Sequence, residues 1–165
     1  MDDLRKAYRI VVIIGLAMMA SLLVYAAVVG ILDKEPALIR SAPALSGSQT
    51  EILKFALLGI SVVVFFVIRF VNDQVLNASG EQAKKLDQRP PLAKGIAPEF
   101  GRLTTAAVIT YALCESPAIF GLVLFFLGRS PSDFHIFLLI SLFFFAVHFP
   151  KFSRWEEWYR KQQGR

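Results

Sequence analysis

Four long apolar runs separated by polar segments dominate the hydrophobic pattern of the chain. At about 1.5 Å of helix rise per residue, runs of this length cross or nearly cross a hydrocarbon layer about 30 Å thick. The pattern predicts an all-α fold: an integral membrane four-helix bundle that forms a single membrane domain over residues 1–165. The predicted transmembrane helices are residues 10–32, 52–71, 103–127 and 134–149.

The first run has a second interpretation, a cleavable signal peptide. Arg5, Lys6 and Arg9 precede the run, and the segment Ala42-Pro43-Ala44 resembles a cleavage site of small residues. The apolar part of a signal peptide is about 7–15 residues long, whereas this run has 23 residues without a charge. Its length therefore favours a retained transmembrane helix.

The composition also indicates a membrane protein. Hydrophobic residues make up 55% of the chain and charged residues 19%, whereas soluble domains average about 45–50% and about 25%. The net charge of +5 comes from 18 Lys and Arg residues that collect between the apolar runs, which argues against nucleic acid as a partner. We expect the lipid bilayer as the environment, and other membrane subunits or further copies of the chain as partners.

The distribution of cations predicts the orientation of the helices. Fourteen Lys and Arg residues fall in the N-terminal segment, in or beside the loop of residues 72–101 and in the tail, against four on the opposite side. The positive-inside bias places both termini and this loop in the cytoplasm, and we expect a prokaryotic inner (cytoplasmic) membrane.

The tail, residues 150–165, combines aromatic and basic side chains. Trp155, Trp158 and Tyr159 are the residues that prefer the headgroup layer, and basic neighbours favour an anionic leaflet. The pattern predicts an amphipathic cytoplasmic helix at the membrane interface. A docking surface for a soluble partner is the alternative.

Glu115 is the one ionisable carboxylate of the third run, and its central position places it at mid-membrane. A charged group there costs about 2.5–3.5 kcal/mol or more to insert. Because desolvation disfavours the ionised form, we expect a neutral acid that binds and releases a proton as its surroundings change. The alternative is a permanently protonated Glu115 that donates a hydrogen bond to a neighbouring helix or to Tyr111, one turn earlier.

Pro117 follows Glu115 by two residues and has no N–H for the carbonyl of Leu113, so we expect a kink in the helix there. The freed carbonyl lies near Ser116 and Glu115, which predicts a small polar cluster at the depth of the acid. The candidate proton-binding residues are therefore Glu115, Ser116 and Tyr111.

The remaining polar or reactive residues are expected to serve in packing or at the interfaces. His135 and His148 are 13 residues apart, too far to share a metal ion within one continuous helix. No catalytic residue, metal site or cofactor is predicted, since no nucleophile–base set is recognisable, and a non-enzymatic role is favoured. Small residues recur at spacings of three and four along the third run and predict a face for close helix packing: Ala107, Thr110, Cys114, Ala118 and Gly121.

Residues 112–123, Ala-Leu-Cys-Glu-Ser-Pro-Ala-Ile-Phe-Gly-Leu-Val, resemble the outer helix of the c subunit of rotary ATPases. In that family a mid-membrane Glu or Asp, followed by small or apolar residues and an aromatic-Gly-Leu segment, carries the transported ion. The resemblance implies that Glu115 is the proton carrier and that Ser116 and Phe120 are its neighbours. The second run, with Phe65 and Phe66, is bulkier than the Gly- and Ala-rich inner helix of the family.

Two functional hypotheses result. The first is a proton-binding subunit, similar to the c subunit, of a larger energy-coupling complex in which Glu115 carries the proton. The second is a non-catalytic scaffold or assembly subunit in which Glu115 stays protonated and holds helices together. A small enzyme acting on lipid is a third and less favoured class.

Overall fold

The computed structural model describes residues 2–35, 46–77 and 98–149, together with Phe152, Ser153, Glu156, Glu157 and Arg160 of the tail. The secondary structure of the described residues is α-helical. The four helices are α1 (Asp2–Lys34), α2 (Gly47–Asn77), α3 (Pro98–Gly128) and α4 (Pro131–His148).

Each of the four helices contains a segment that is long and apolar enough to cross a membrane. The helices extend beyond the predicted apolar runs at most of their ends, and α2 continues to Asn77, inside the segment predicted as a loop. The rest of that loop, residues 78–97, lies outside the described residues. The segments that are long and apolar enough to cross are Leu4–Lys34, Gly47–Val71, Thr104–Gly128 and Pro131–His148.

The helix α3 is the centre of the bundle and contacts each of the other three helices, while α1 also contacts α4. In its apolar segment 44% of the residues are buried, against 28% or less in the other helices. The predicted small-residue face explains this burial, because side chains of this size let neighbouring helices approach closely. All five members of the face are buried: Ala107, Thr110, Cys114, Ala118 and Gly121.

A short turn joins α3 to α4 and makes the two helices antiparallel neighbours. Arg129 follows the end of α3 with a positive φ of 56°, and its N–H donates to the carbonyl of Phe125 at 2.8 Å. This left-handed residue ends the helix in the usual way. Ser130 then caps α4 by accepting a bond from the N–H of Asp133, and Pro131 occupies the first turn, where its missing N–H costs nothing.

The two ends of the described chain lie at the same end of the bundle. The ring of Tyr8, near the start of α1, contacts the ring of Phe152 edge to face, with centroids 5.2 Å apart. At the opposite end, Lys54 near the start of α2 forms an ion pair with Asp133 in the first turn of α4. These contacts fix an alternating up-and-down arrangement of the four helices.

Candidate functional site

The carboxyl group of Glu115 lies between α3 and α1, where two hydroxyl groups of α1 contact it. The Ser21 hydroxyl and the Tyr25 hydroxyl each lie 2.6 Å from Glu115 Oε1. These are short hydrogen bonds, and all three side chains are partly buried. Glu115 therefore joins two helices that are about 90 residues apart in the sequence.

The Ser21 hydroxyl has a second contact that bears on the protonation of Glu115. Ser21 Oγ lies 2.6 Å from the carbonyl oxygen of Met18 and 2.6 Å from Glu115 Oε1. A hydroxyl has one proton to donate, and a carbonyl has none. When the Ser21 hydroxyl donates to the carbonyl of Met18, it can only accept from Glu115. The carboxyl group must then supply the proton of that bond, as the neutral acid does.

The ionised form of Glu115 also finds partners in this arrangement. Ser21 can turn its single proton from the carbonyl of Met18 to the carboxylate, while Tyr25 donates to the same carboxylate in either state. Oε1 of Glu115 thus has hydrogen-bond partners in both protonation states, and rotation of the Ser21 hydroxyl switches between the two bonding patterns.

Ser116 does not contact the carboxyl group of Glu115, although the sequence placed it in the same cluster. Its hydroxyl donates to the carbonyl of Leu113 at 2.8 Å. That carbonyl is the one that Pro117 leaves without an N–H donor, because proline lies four residues later in α3. Ser116 therefore satisfies the backbone next to the site rather than the acid itself.

Tyr111 also points away from Glu115. Its ring stacks on Phe145 of α4, with centroids 5.9 Å apart, and its hydroxyl faces Gly15 of α1. A Cβ atom at Gly15 would lie 2.8 Å from that hydroxyl oxygen, so the absence of a side chain there makes room for the tyrosine. The Tyr111 hydroxyl is buried and has no hydrogen-bond partner within the described part of the chain.

Hydroxyl groups of the other two helices lie at a similar depth to Glu115. Ser141 of α4 donates to the carbonyl of Cys114 at 2.6 Å, and Ser61 of α2 donates to the carbonyl of Leu57 in its own helix. Each membrane-length segment has a hydroxyl or carboxyl group within two residues of its midpoint: Ser21, Ser61, Glu115 and Ser141. These four polar groups thus lie in one layer across the middle of the bundle.

Ser21 and Tyr25 are the two residues of the candidate site that the sequence did not indicate. Like the remaining polar residues, Ser21 is expected from the sequence only to serve in helix packing, and no role is predicted for Tyr25. The signal that identifies them is their spacing of four, which puts two hydroxyls on one face of an otherwise apolar helix. The depth of Ser21 in α1 also matches that of Glu115 in α3, since both residues lie near the middle of their membrane-length segments.

Neither the histidines nor the cysteine is bonded to Glu115 in the described part of the chain. His135 and His148 each bond through Nδ1 to a carbonyl four residues earlier, at 2.6 and 3.1 Å. Cys114 is free and buried in the small-residue face. Within the described ranges, no three His, Cys, Asp or Glu side chains are close enough to hold a metal ion.

The predicted interface residues Trp155, Trp158 and Tyr159 lie outside the described residues. The five described tail residues include Glu156 and Arg160, which form an ion pair at a spacing of four. That pair is typical of an exposed helical turn.

Comparison of the chain with protein-family models, with curated proteins and with solved structures found no match. The assignment of a function therefore rests on the residues and on their geometry.

Proposed function

We propose that the chain is a multi-pass membrane protein in which Glu115 is a reversible proton-binding site at mid-membrane, serving a larger energy-coupling complex. The single observation that carries the proposal is the contact of Glu115 Oε1 with Ser21 and Tyr25 on a neighbouring helix. The resemblance of residues 112–123 to the c subunit of rotary ATPases supports the same role for Glu115. We also propose that both termini are cytoplasmic and that the tail is an interfacial helix.

The geometry supports proton exchange because Glu115 Oε1 has hydrogen-bond partners in both the protonated and the ionised state. An acid that must give up its proton in an apolar layer needs donors already in place to stabilise the carboxylate. Ser21 and Tyr25 are such donors, and the partial exposure of Glu115 leaves a route for a proton to reach it from a partner or from water. A group sealed in the core would lack that route.

A second candidate function is favoured by the same two hydrogen bonds. Bonds from Ser21 and Tyr25 hold α1 to α3, and interhelical bonds of this kind each contribute about 0.6–1.7 kcal/mol in membrane bundles. A permanently protonated Glu115 would then be a structural link in a scaffold or assembly subunit. The two candidates differ in whether the proton ever leaves.

Glu115→Gln and Glu115→Leu distinguish the two candidates. Glutamine keeps an oxygen that can accept from both Ser21 and Tyr25 at the position of Oε1 but has no exchangeable acid proton, whereas leucine removes both bonds. If Glu115 carries protons, Glu115→Gln abolishes proton movement by the assembled complex and leaves assembly intact. If Glu115 is only a link, Glu115→Gln is silent, while Glu115→Leu lowers the free energy of unfolding by about 1–3 kcal/mol.

Protonation of Glu115 can be measured directly in purified protein in vesicles. We expect the infrared band of a neutral carboxyl group to weaken as the pH rises and to be absent from Glu115→Gln. Labelling of Glu115 by a hydrophobic carbodiimide, which attacks the neutral acid, should fall over the same pH range. A band that stays constant over the whole pH range in which the protein remains folded would refute proton exchange and leave the structural link.

A further inference from the structure

An apolar groove runs along the outer surface of the bundle between α2 and α4. Its volume is about 470 Å³, and Glu115 is not among the residues that line it. Phe65 and Phe144, which both line the groove, have ring centroids 5.4 Å apart. The lining residues include Gly59, Ser61, Phe65, Phe66, Phe143 and Phe144.

The length and the lining of the groove suit a hydrocarbon chain. Its α2 wall runs from Leu58 to Phe66, which is about 12 Å of helix. Phenylalanine rings from both helices line this length, so the groove offers an acyl chain an almost entirely apolar surface.

The two ends of the groove differ in charge. The face of α2 that lines it continues to Lys54 at one end and to Arg69 at the other, each one turn beyond the groove. Lys54 is neutralised by its ion pair with Asp133. Arg69 has no ion-pair partner among the described residues, and it lies near the His148 ring, which packs on Phe65.

We propose that this groove binds an anionic phospholipid, with one acyl chain between α2 and α4 and the phosphate against Arg69. An arginine presents several N–H donors that match phosphate oxygens. The Arg69 end is the predicted cytoplasmic end, where the leaflet is rich in anionic lipid. The site rests on membrane insertion, as does the proposed function, but not on any proton chemistry at Glu115.

The test is retention of lipid by protein extracted from vesicles of phosphatidylcholine and phosphatidylglycerol in equal amounts, measured by native mass spectrometry. We expect the wild-type protein to retain phosphatidylglycerol in preference to phosphatidylcholine. Arg69→Gln should weaken phosphatidylglycerol retention about fivefold, and Arg69→Lys should restore most of it. Arg5→Gln, which removes an exposed cation near the same predicted membrane face, is the control and should leave retention unchanged.

A second pair of variants tests the groove itself. A Cβ atom at Gly59 or at Gly30 has nothing within 4 Å, so both positions have room for a larger side chain, but only Gly59 lines the groove. Gly59→Leu should reduce retention of phosphatidylglycerol, while Gly30→Leu should not.

Several results would overturn the phospholipid site. These are equal retention by Arg69→Gln and the wild type, equal loss in Arg69→Gln and Arg5→Gln, and a protein dimer that Gly59→Leu abolishes. None of them bears on the infrared band of Glu115, so failure here is distinct from failure of the proton-binding site.

Discussion

Tyr25 and Tyr111 are two tyrosines of the bundle interior whose hydroxyls have opposite surroundings. The Tyr25 hydroxyl donates to Glu115, whereas the buried Tyr111 hydroxyl meets Gly15 and has no hydrogen-bond partner in the described chain. A buried polar group without a partner costs about 1–3 kcal/mol. At the residue scale, Tyr25 therefore stabilises the bundle through the hydrogen bond of its hydroxyl, and Tyr111 stabilises it through the packing of its ring.

Tyr111→Phe and Tyr25→Phe therefore have opposite expected effects on stability. Tyr111→Phe keeps the ring on Phe145 and removes the unpartnered oxygen, so the free energy of unfolding should rise by about 1 kcal/mol. Tyr25→Phe loses the bond to Glu115 and should lower it by about 0.6–1.7 kcal/mol. Unfolding in detergent, followed by circular dichroism, measures both. Destabilisation by Tyr111→Phe would show that its hydroxyl has a partner.

At the scale of the element, α3 continues through a proline at the depth of the site. Pro117 deprives the Leu113 carbonyl of its helical donor, and the Ser116 hydroxyl takes that place at 2.8 Å. The Cys114 carbonyl in the same turn receives the Ser141 hydroxyl from α4. Two serines thus donate to backbone carbonyls in the turn before the proline, and the hydroxyl of Ser116 replaces the donor that Pro117 lacks.

Ser116 and Pro117 should therefore be coupled energetically. Ser116→Ala in the wild-type chain should cost about 0.5–1.5 kcal/mol, because the Leu113 carbonyl loses its donor. In Pro117→Ala the new N–H supplies that donor, so the same change should cost less. A double-mutant cycle on the four proteins, measured by denaturant unfolding in detergent, gives the coupling energy. Additive effects would mean that Ser116 does not compensate for the proline.

At the scale of the whole molecule, two contacts define the ends of the bundle. Tyr8 against Phe152 brings the start of α1 to the tail, and Lys54 with Asp133 joins α2 to α4 at the other end. The sequence assigns 14 of the 18 cations to segments that begin or end on the side of the first of these contacts. The arrangement of the helices and the positive-inside bias therefore agree on which ends face the same side.

Single cysteines placed at the two ends test this topology. In a Cys114→Ala background, the exposed positions Ser48 and Ser132 should react with a membrane-impermeant maleimide on intact cells when changed to cysteine. Cysteine at the exposed positions Arg5 and Ser153 should react only after the cells are permeabilised. Labelling of Arg5→Cys and Ser153→Cys from opposite sides would contradict the four-helix topology, and a fully inverted pattern would reverse the orientation.

The helices and the small-residue face of α3 were predictable because each depends on local sequence. Helix formation and hydropathy are sums over neighbouring residues, and Ala107 and Gly121 lie on one face by spacing alone. Glu115 was identified for the same reason, as the single acid in its run. The roles given to Tyr111 and Ser116 rest on neighbourhood within α3, and the contacts of both side chains lie elsewhere.

The sequence by itself determined that four segments are helical and apolar and that one carboxyl group lies at the middle of the third. Only the tertiary structure decided which residues surround that group. Ser21 and Tyr25 are 94 and 90 residues away from it. Apart from Ser21 and Tyr25, residues 10–32 of α1 are apolar on every side, so their hydropathy indicates no inner face, and the rotation of α1 against α3 is fixed by packing such as that of Tyr111 on Gly15.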